Sequence, residues 1–349
     1  HNILNDLCHQ MDPTRLTTMA VVSMCSIDAK YIQIPDVISY NHYYGWYGGT
    51  TDMNGEFFDD FHKKYPNIPI GLSEYGCEAL NWHTSNPVQG DYTEEYQAYY
   101  HEELIKQLFT RDYIWATHVW NMFDFGCAAR DEGGVAGRNN KGLVTMDRKI
   151  KKDSYYIYKA YWNKEPMVHL CGKRYAQRAG ETTEIRVYSN QPSVTLFLNG
   201  EKVEELTADK VFVFTVALKD GFNIITAQAG DLKDTMTLEK VEKEPAIYVL
   251  PEVNERAEGV ANWFSTVGDM DLKAPMEFPE GMYSIKDTLE ELAKCPEAIE
   301  LAAKAVKLTM NMVVSPGEGM WDMMKGMTLE RLGEMAGTLA PEGFVESLN

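Results

Sequence analysis

The first 163 residues alternate short apolar runs with longer amphipathic ones, and this alternation limits the fold more than any other feature. Met19 to Val22, Asp36 to Tyr40, Ile68 to Ser73 and Ile114 to Trp120 each read as a strand. Helical segments lie between and after them, at Glu56 to Tyr65, Thr93 to Phe109 and Ser154 to Trp162. The last of these opens on an Asp153/Ser154 cap. Strand, helix, strand, helix at this spacing means βαβ units and a parallel sheet.

The pattern changes at about residue 166. Thr183, Ile185 and Val187 alternate with Glu184 and Arg186. Val194 to Leu198 runs into Asn199-Gly200, a strong hairpin signal. Val211 to Val216 and Asn223 to Ala227 follow, with turns at Asp220-Gly221 and Gly230-Asp231. Short strands with regular turns predict a β-sandwich over 166–248. From about 250 to 349 the pattern is helical, with Leu289, Leu292 and Ala293, then Ile299, Ala302, Ala303 and Val306, at helical spacing. Seven methionines between Met310 and Met335 read as loosely specified core rather than as a binding face.

Composition excludes several classes. The 33 Lys+Arg against 52 Asp+Glu, net −19, argue against a nucleic-acid partner, whose binding rests on phosphate neutralisation. No apolar run reaches the roughly 20 residues of a membrane span. The six cysteines are scattered and form no Cys-x-x-Cys pair, so neither a disulfide framework nor a zinc motif is expected. They suit a reducing, cytoplasmic compartment. The chain opens at His1 without a signal-peptide pattern.

Three clusters sit where strands of the first section end, the usual place for an active site in parallel α/β folds. The first is Asn41-His42-Tyr43-Tyr44-Gly45-Trp46-Tyr47-Gly48-Gly49. Its aromatic faces, phenols and amide suit a sugar better than a buried corner. The second is Ser73-Glu74-Tyr75-Gly76, in which a carboxylate directly follows an apolar strand. Burying such a group is costly unless it is paired or functional. The third is Thr117 to Phe125, with Trp120 as a platform and His118 as a hydrogen-bonded core histidine. It is followed by a loop, Arg130 to Lys141, whose end is rich in donors and glycine. No His/Asp/Glu set has metal-ligand spacing.

Together and in this order, these clusters resemble the C-terminal half of the catalytic barrel of family 2 glycoside hydrolases, the β-galactosidases and β-glucuronidases. The matching residues are Asn41-x-Tyr43-Tyr44-Gly45-Trp46-Tyr47, Ser73-Glu74-Tyr75-Gly76, Thr93-Glu94-Glu95-Tyr96-Gln97, Val119-Trp120-Asn121 and Asn139-x-Lys141-Gly142-Leu143-Val144-Thr145 with Asp147-Arg148-Lys149. The resemblance implies half of a (β/α)8 TIM barrel over 1–163, an immunoglobulin-like β-sandwich over 166–248 and a mainly helical module over 250–349. It implies Glu74 as the nucleophile of a retaining mechanism and sugar contacts for Asn41, Tyr43, Tyr47, Trp120, Asn139 and Lys141. A hydrogen bond from Tyr43 would favour the charged form of Glu74.

The family's acid/base glutamate follows an Asn. The only Asn-Glu pair here, Asn254-Glu255, lies too far downstream to match. The chain therefore reads as the C-terminal portion of a longer enzyme, inactive or nearly so when isolated. The Gly137-Arg138-Asn139-Asn140-Lys141-Gly142-Leu143-Val144 spelling favours a β-galactoside as substrate, with a β-glucuronide as the alternative. A non-catalytic carbohydrate-binding module is the reading from another class. No cofactor is expected: flavin lacks a phosphate-cradling Gly-rich loop, and no divalent cation is assigned. A second copy of the chain is the macromolecular partner that this reading allows.

Overall fold

The computed structural model describes residues 1–250 apart from 24, 86 and 134, and residues 283–332 apart from 311–312, 318–320 and 330–331. The chain divides into two compact units, His1–Val267 and Gly268–Asn349. The Asn254-Glu255 pair lies outside the described residues.

The first unit opens with α1 (Asn2–Met11), β1 (Ala20–Val22), β2 (Ile38–Asn41), α2 (Met53–Lys64), β3 (Ile70–Tyr75), α3 (Glu94–Leu108) and β4 (Ile114–Val119). The four strands form one parallel sheet in the order β1-β2-β3-β4. A 3-10 turn at Lys30–Gln33 joins β1 to β2, and α2 and α3 join β2 to β3 and β3 to β4, the βαβ arrangement that the alternation predicts. Phe58 and Phe61 of α2 and Leu104, Ile105 and Leu108 of α3 are buried in one core with Ile38, Tyr40, Ile70, Leu72 and Tyr75 of the sheet. Thr93 caps α3, its hydroxyl accepting the Tyr96 N–H at 3.0 Å.

Two expectations change here. The segment Arg130 to Lys141, read as a loop, is largely a hairpin of β5 (Phe125–Glu132) and β6 (Val135–Asn139). Its strands carry no apolar alternation, so the sequence gives no strand signal. Helix α4 (Asp153–Trp162) starts from Lys152 with no side-chain cap. Asp153 instead accepts from His169 Nε2 at 2.8 Å and from the Gly172 N–H at 2.7 Å, while Ser154 donates to Gln97. Tertiary partners have taken the groups that would have capped the helix.

The same unit continues into β7 (Val168–Leu170), β8 (Gln177–Arg178), β9 (Thr182–Ser189), β10 (Ser193–Leu198), β11 (Glu201–Thr207), β12 (Val211–Ala217), β13 (Gly221–Ala229) and β14 (Leu232–Lys240). They make a five-stranded sheet, β11-β10-β13-β14-β8, and a three-stranded one, β12-β9-β7. A second core lies between them, with Ile185 and Val187, Val194 and Leu196, and Phe212 and Phe214. Asn199 and Gly200 both take positive φ, 51° and 85°, as a type I′ hairpin turn requires. β11 escapes the sequence pattern because it is an edge strand of mostly exposed, charged residues.

Ion pairs join α3 and α4 to β7, β9 and the turn between β7 and β8. Arg174 grips Glu94 with two N–H donors, and Arg186 and Tyr188 both donate to Glu102. Glu95 lies in the same region. Burial, reinforced by the charge of Glu94, pushes its carboxyl up to about 8. The folded chain thus holds a proton that the unfolded chain releases near pH 4.3. Its stabilising contribution is complete below the unfolded value and is lost as pH rises through about 8. Glu95→Gln is expected to match the parent in Tm at pH 5 and to exceed it by roughly 5 °C at pH 9. Parallel Tm–pH curves for the two proteins would contradict this.

The second unit contains α5 (Leu289–Leu292), α6 (Pro296–Met310) and α7 (Trp321–Met324) among its described residues. Thr288 and Glu291 form a capping box on α5. Leu289, Leu292, Ala302 and Val306 are buried together, and Ile299 and Ala303 pack against them. Of the seven methionines, Met324 is core and Met327 packs on it, while Met312, Met320 and Met335 fall outside the described residues. Among the described residues no helix is long and apolar enough to cross a membrane.

Candidate active site

The C-terminal ends of β2, β3 and β4 bring the three sequence clusters together. β3 runs on through Tyr75, so Glu74 lies within the strand. The Tyr43 hydroxyl donates to Glu74 Oε2 at 2.8 Å. Burial, then the Glu74 charge, hold the Tyr43 phenol far above its ordinary value, so it remains a neutral donor. Asn41 pairs in register with Glu74, and its Oδ1 accepts the Ser73 hydroxyl at 2.7 Å. His42 is fully buried against Phe57, with ring centroids 4.1 Å apart, and burial lowers its pKa to about 3. It is a neutral packing residue, not an acid or base.

Trp120 follows β4. Its N–H donates to the Tyr75 carbonyl at 2.8 Å, and its peptide bond to Asn121 is cis. A Cβ on Gly76 would stand 2.1 Å from the Trp120 carbonyl oxygen. The glycine of Ser73-Glu74-Tyr75-Gly76 is therefore a condition for the close approach of the Trp120 backbone to the end of β3. His118 is exposed, not core as expected, because β4 is the edge of the sheet; its Nδ1 lies 3.2 Å from the Leu72 carbonyl.

At the end of β6, Asn139 Oδ1 accepts the Lys141 N–H at 3.0 Å and sets the turn. The Lys141 side chain is completely buried. Its Nζ donates to Tyr47 Oη at 2.6 Å and to Glu78 Oε1 at 3.2 Å, and stands 4.7 Å from the centre of the Tyr47 ring. Arg130 donates to the same Glu78 oxygen at 2.8 Å and to Tyr47 Oη at 3.2 Å. Two buried cations thus converge on one carboxylate oxygen. The other Glu78 oxygen has no hydrogen-bond partner.

A second buried pair holds this platform. Lys152 Nζ donates to Asp124 Oδ1 at 2.9 Å and to the carbonyls of Ala79 and Asn140 at 2.8 and 2.9 Å. Asp124 Oδ1 also accepts the Gly142 N–H at 2.9 Å.

All seven sequence-predicted site residues therefore fall on this end of the sheet or on the hairpin beside it. Sequence reasoning missed Glu78 as a site residue and saw Arg130 only as the start of a loop. The available signal for Glu78 was a charge between Cys77 and the apolar Ala79-Leu80. Among the described residues one trio has metal-ligand spacing in space, Asp153, His169 and Cys171, at the α4–β7 junction. His169 and Cys171 are two positions apart, but Asp153 lies sixteen positions before His169, so only the fold joins the three.

No family model matches the chain. A β-glucuronidase from Bacteroides fragilis is 41% identical over 255 residues, 69% of this chain and 36% of the relative. The crystal structure of an FMN-binding β-glucuronidase from Facaelibacterium prausnitzii L2-6 is 59% identical, with a TM-score of 0.71 over 72% of this chain and 39% of that one. A Bacteroides uniformis β-glucuronidase 2, covalently bound to cyclophellitol-6-carboxylate aziridine, is 30% identical, with a TM-score of 0.64 over 69% of this chain and 30% of that one. The chain belongs to the family 2 glycoside hydrolases. It spans between a third and two fifths of the length of the first two relatives, and the structures it resembles are multidomain.

Proposed function

We propose that this chain carries the nucleophile and sugar-binding half of a retaining exo-β-glucuronidase. The observation that carries the reading is the buried Lys141–Arg130–Glu78–Tyr47 cluster, linked through Tyr47 to the Tyr43–Glu74 pair. The Tyr43 and Tyr47 rings pack against each other, tilted by 57° with centroids 5.3 Å apart. Both cations donate to the Tyr47 hydroxyl, and donors of this kind suit a sugar carboxylate. The relatives named as β-glucuronidases favour the same sugar. A β-galactoside is the second reading, supported by the Gly137-Arg138-Asn139-Asn140-Lys141-Gly142 spelling.

In the proposed reaction Glu74 attacks the anomeric carbon as the aglycone oxygen leaves with a proton from a separate general acid. A covalent glycosyl–enzyme forms, and water then releases the sugar with retained configuration. Tyr43 orients Glu74 by its hydrogen bond. Asn41 and Trp120 border the sugar, and Asn139 fixes the turn that presents Lys141. In this reading the parallel sheet is half of a (β/α)8 barrel over 1–163, the sandwich over 166–248 is immunoglobulin-like, and 250–349 is a helical module. Hydrolysis of aryl β-glucuronide against aryl β-galactoside by the protein carrying this chain tests the sugar. A kcat/KM that favours the galactoside would overturn the glucuronidase reading.

FMN is a further candidate ligand, because the 59% identical relative binds it. In the cavity beside α3, the cations Arg178 and Arg186 are already engaged with carbonyls, hydroxyls and carboxylates. That cavity does not fit a flavin phosphate, and no catalytic step is routed through flavin. Titration of FMN fluorescence with the protein decides: saturable quenching supports binding, and unchanged emission excludes it.

A further inference from the structure

The Asp153, His169 and Cys171 trio plays no part in the glycosidase reading. Asp153 opens α4, His169 is central in β7, and Cys171 directly follows β7. All three side chains are buried. Their candidate ligand atoms, a carboxylate oxygen, an imidazole nitrogen and a thiol sulfur, all lie within 4.8 Å of one another. Asp153 and Cys171 also line a cavity of about 180 Å³ between α3 and β9, whose wall includes Glu95. Glu95 Oε2 is buried there with no hydrogen-bond partner.

We propose that Asp153, His169 and Cys171 bind a Zn²⁺-class divalent cation, with its fourth position open to this cavity. The donor set is right for the metal: zinc takes thiolate, imidazole and carboxylate together in tetrahedral sites. The charges balance. One thiolate, one carboxylate and a neutral imidazole bring the dication to zero net charge, which suits a buried place.

The geometry needs only small shifts. With bonds of about 2.0–2.3 Å, tetrahedral ligand atoms stand roughly 3.3–3.8 Å apart. The Asp153–His169 contact of 2.8 Å would open by about half an ångström, and the widest separation would close by about 1 Å. On binding, the Cys171 thiol proton leaves to solvent. His169 ligates through Nε2 and carries its proton on Nδ1, which faces Asp234 Oδ2 at 3.7 Å. A carboxylate behind a ligating histidine is the usual outer support of such a site. Asp234 is itself held by Lys173 at 2.7 Å and by the Leu170 N–H at 2.7 Å. The imidazole is also fixed by stacking on Tyr156, with centroids 3.5 Å apart. Glu95 and water are the candidates for the fourth position.

The test uses the whole chain, stripped with chelator and then given zinc chloride alone. We expect about one zinc per chain after desalting, with a higher Tm than the stripped protein. We expect Cys171→Ser and His169→Gln each to lose at least about ten-fold in zinc affinity. Cys295→Ser, far along the chain, should bind as the parent does. Cobalt in place of zinc should show a thiolate-to-metal absorption band that vanishes in Cys171→Ser. Should either variant misfold by circular dichroism, X-ray absorption of the zinc-loaded parent decides, through one sulfur among four ligands. No retained zinc, a cobalt band that persists in Cys171→Ser, or a shell without sulfur would each overturn the site.

Discussion

Glu74→Gln is expected to lower kcat on aryl glycosides by on the order of 10⁴ or more, the scale seen when a covalent nucleophile is removed. The amide keeps the shape of the side chain and can still accept from Tyr43, whose hydroxyl stands 2.8 Å from Glu74 Oε2. It cannot attack the anomeric carbon. The fold should therefore survive, with an unchanged Tm and an unchanged inhibitor affinity. In Glu74→Ala, which empties the position, an external anion such as azide should restore part of the rate by forming the opposite anomer, because it enters where the carboxylate stood. Activity within ten-fold of the parent would remove Glu74 from the mechanism. The glutamate's place at the end of β3 would then be structural, and the sheet's other carboxylates would need to be tested in its stead.

Lys141→Ala is expected to reduce kcat/KM on an aryl glucuronide by roughly 10²–10³, the size of a lost charge-assisted contact in a buried site. The loss on an aryl galactoside should stay below about ten-fold, because a neutral sugar has no carboxylate to hold. The difference between substrates is the readout, since misfolding would harm both. Glu78→Gln is expected to act on stability. It would leave Lys141 and Arg130, 3.2 and 2.8 Å from one Glu78 oxygen, without their shared counter-charge. Breaking such a buried pair costs about 3–5 kcal/mol, so a clear drop in Tm is expected at neutral pH. Equal losses on both sugars in Lys141→Ala would assign Lys141 to holding Tyr47 in place, and the galactoside reading would gain.

Much of the first section was legible because its signals are local. Ile68 to Leu72 is apolar from end to end, Thr93 caps α3, and Ser73-Glu74-Tyr75-Gly76 is a contiguous string. Such features depend on neighbours in the chain and survive without knowledge of the fold. The hairpin β5–β6 was not legible, since its strands lack alternation and gain their order from pairing with each other. The α4 cap was misread for a related reason. Asp153 has the chemistry of a cap, but His169, sixteen residues on, competes for it and wins.

The sequence by itself determined which residue types stand at the strand ends: the Glu74 carboxylate, the aromatic run from Tyr43 to Tyr47 and the Asn139-x-Lys141 turn. It could do so because strand period, turn chemistry and motif spacing are written within a few residues. Only the tertiary structure decided that Arg130, Glu78, Lys141 and Tyr47 form one buried cluster, and that Asp153, His169 and Cys171 converge. Arg130 lies 52 positions from Glu78, and Lys141 lies 94 from Tyr47. A charge is buried only when distant parts of the chain close around it and supply its partner, and that closure is a property of the fold.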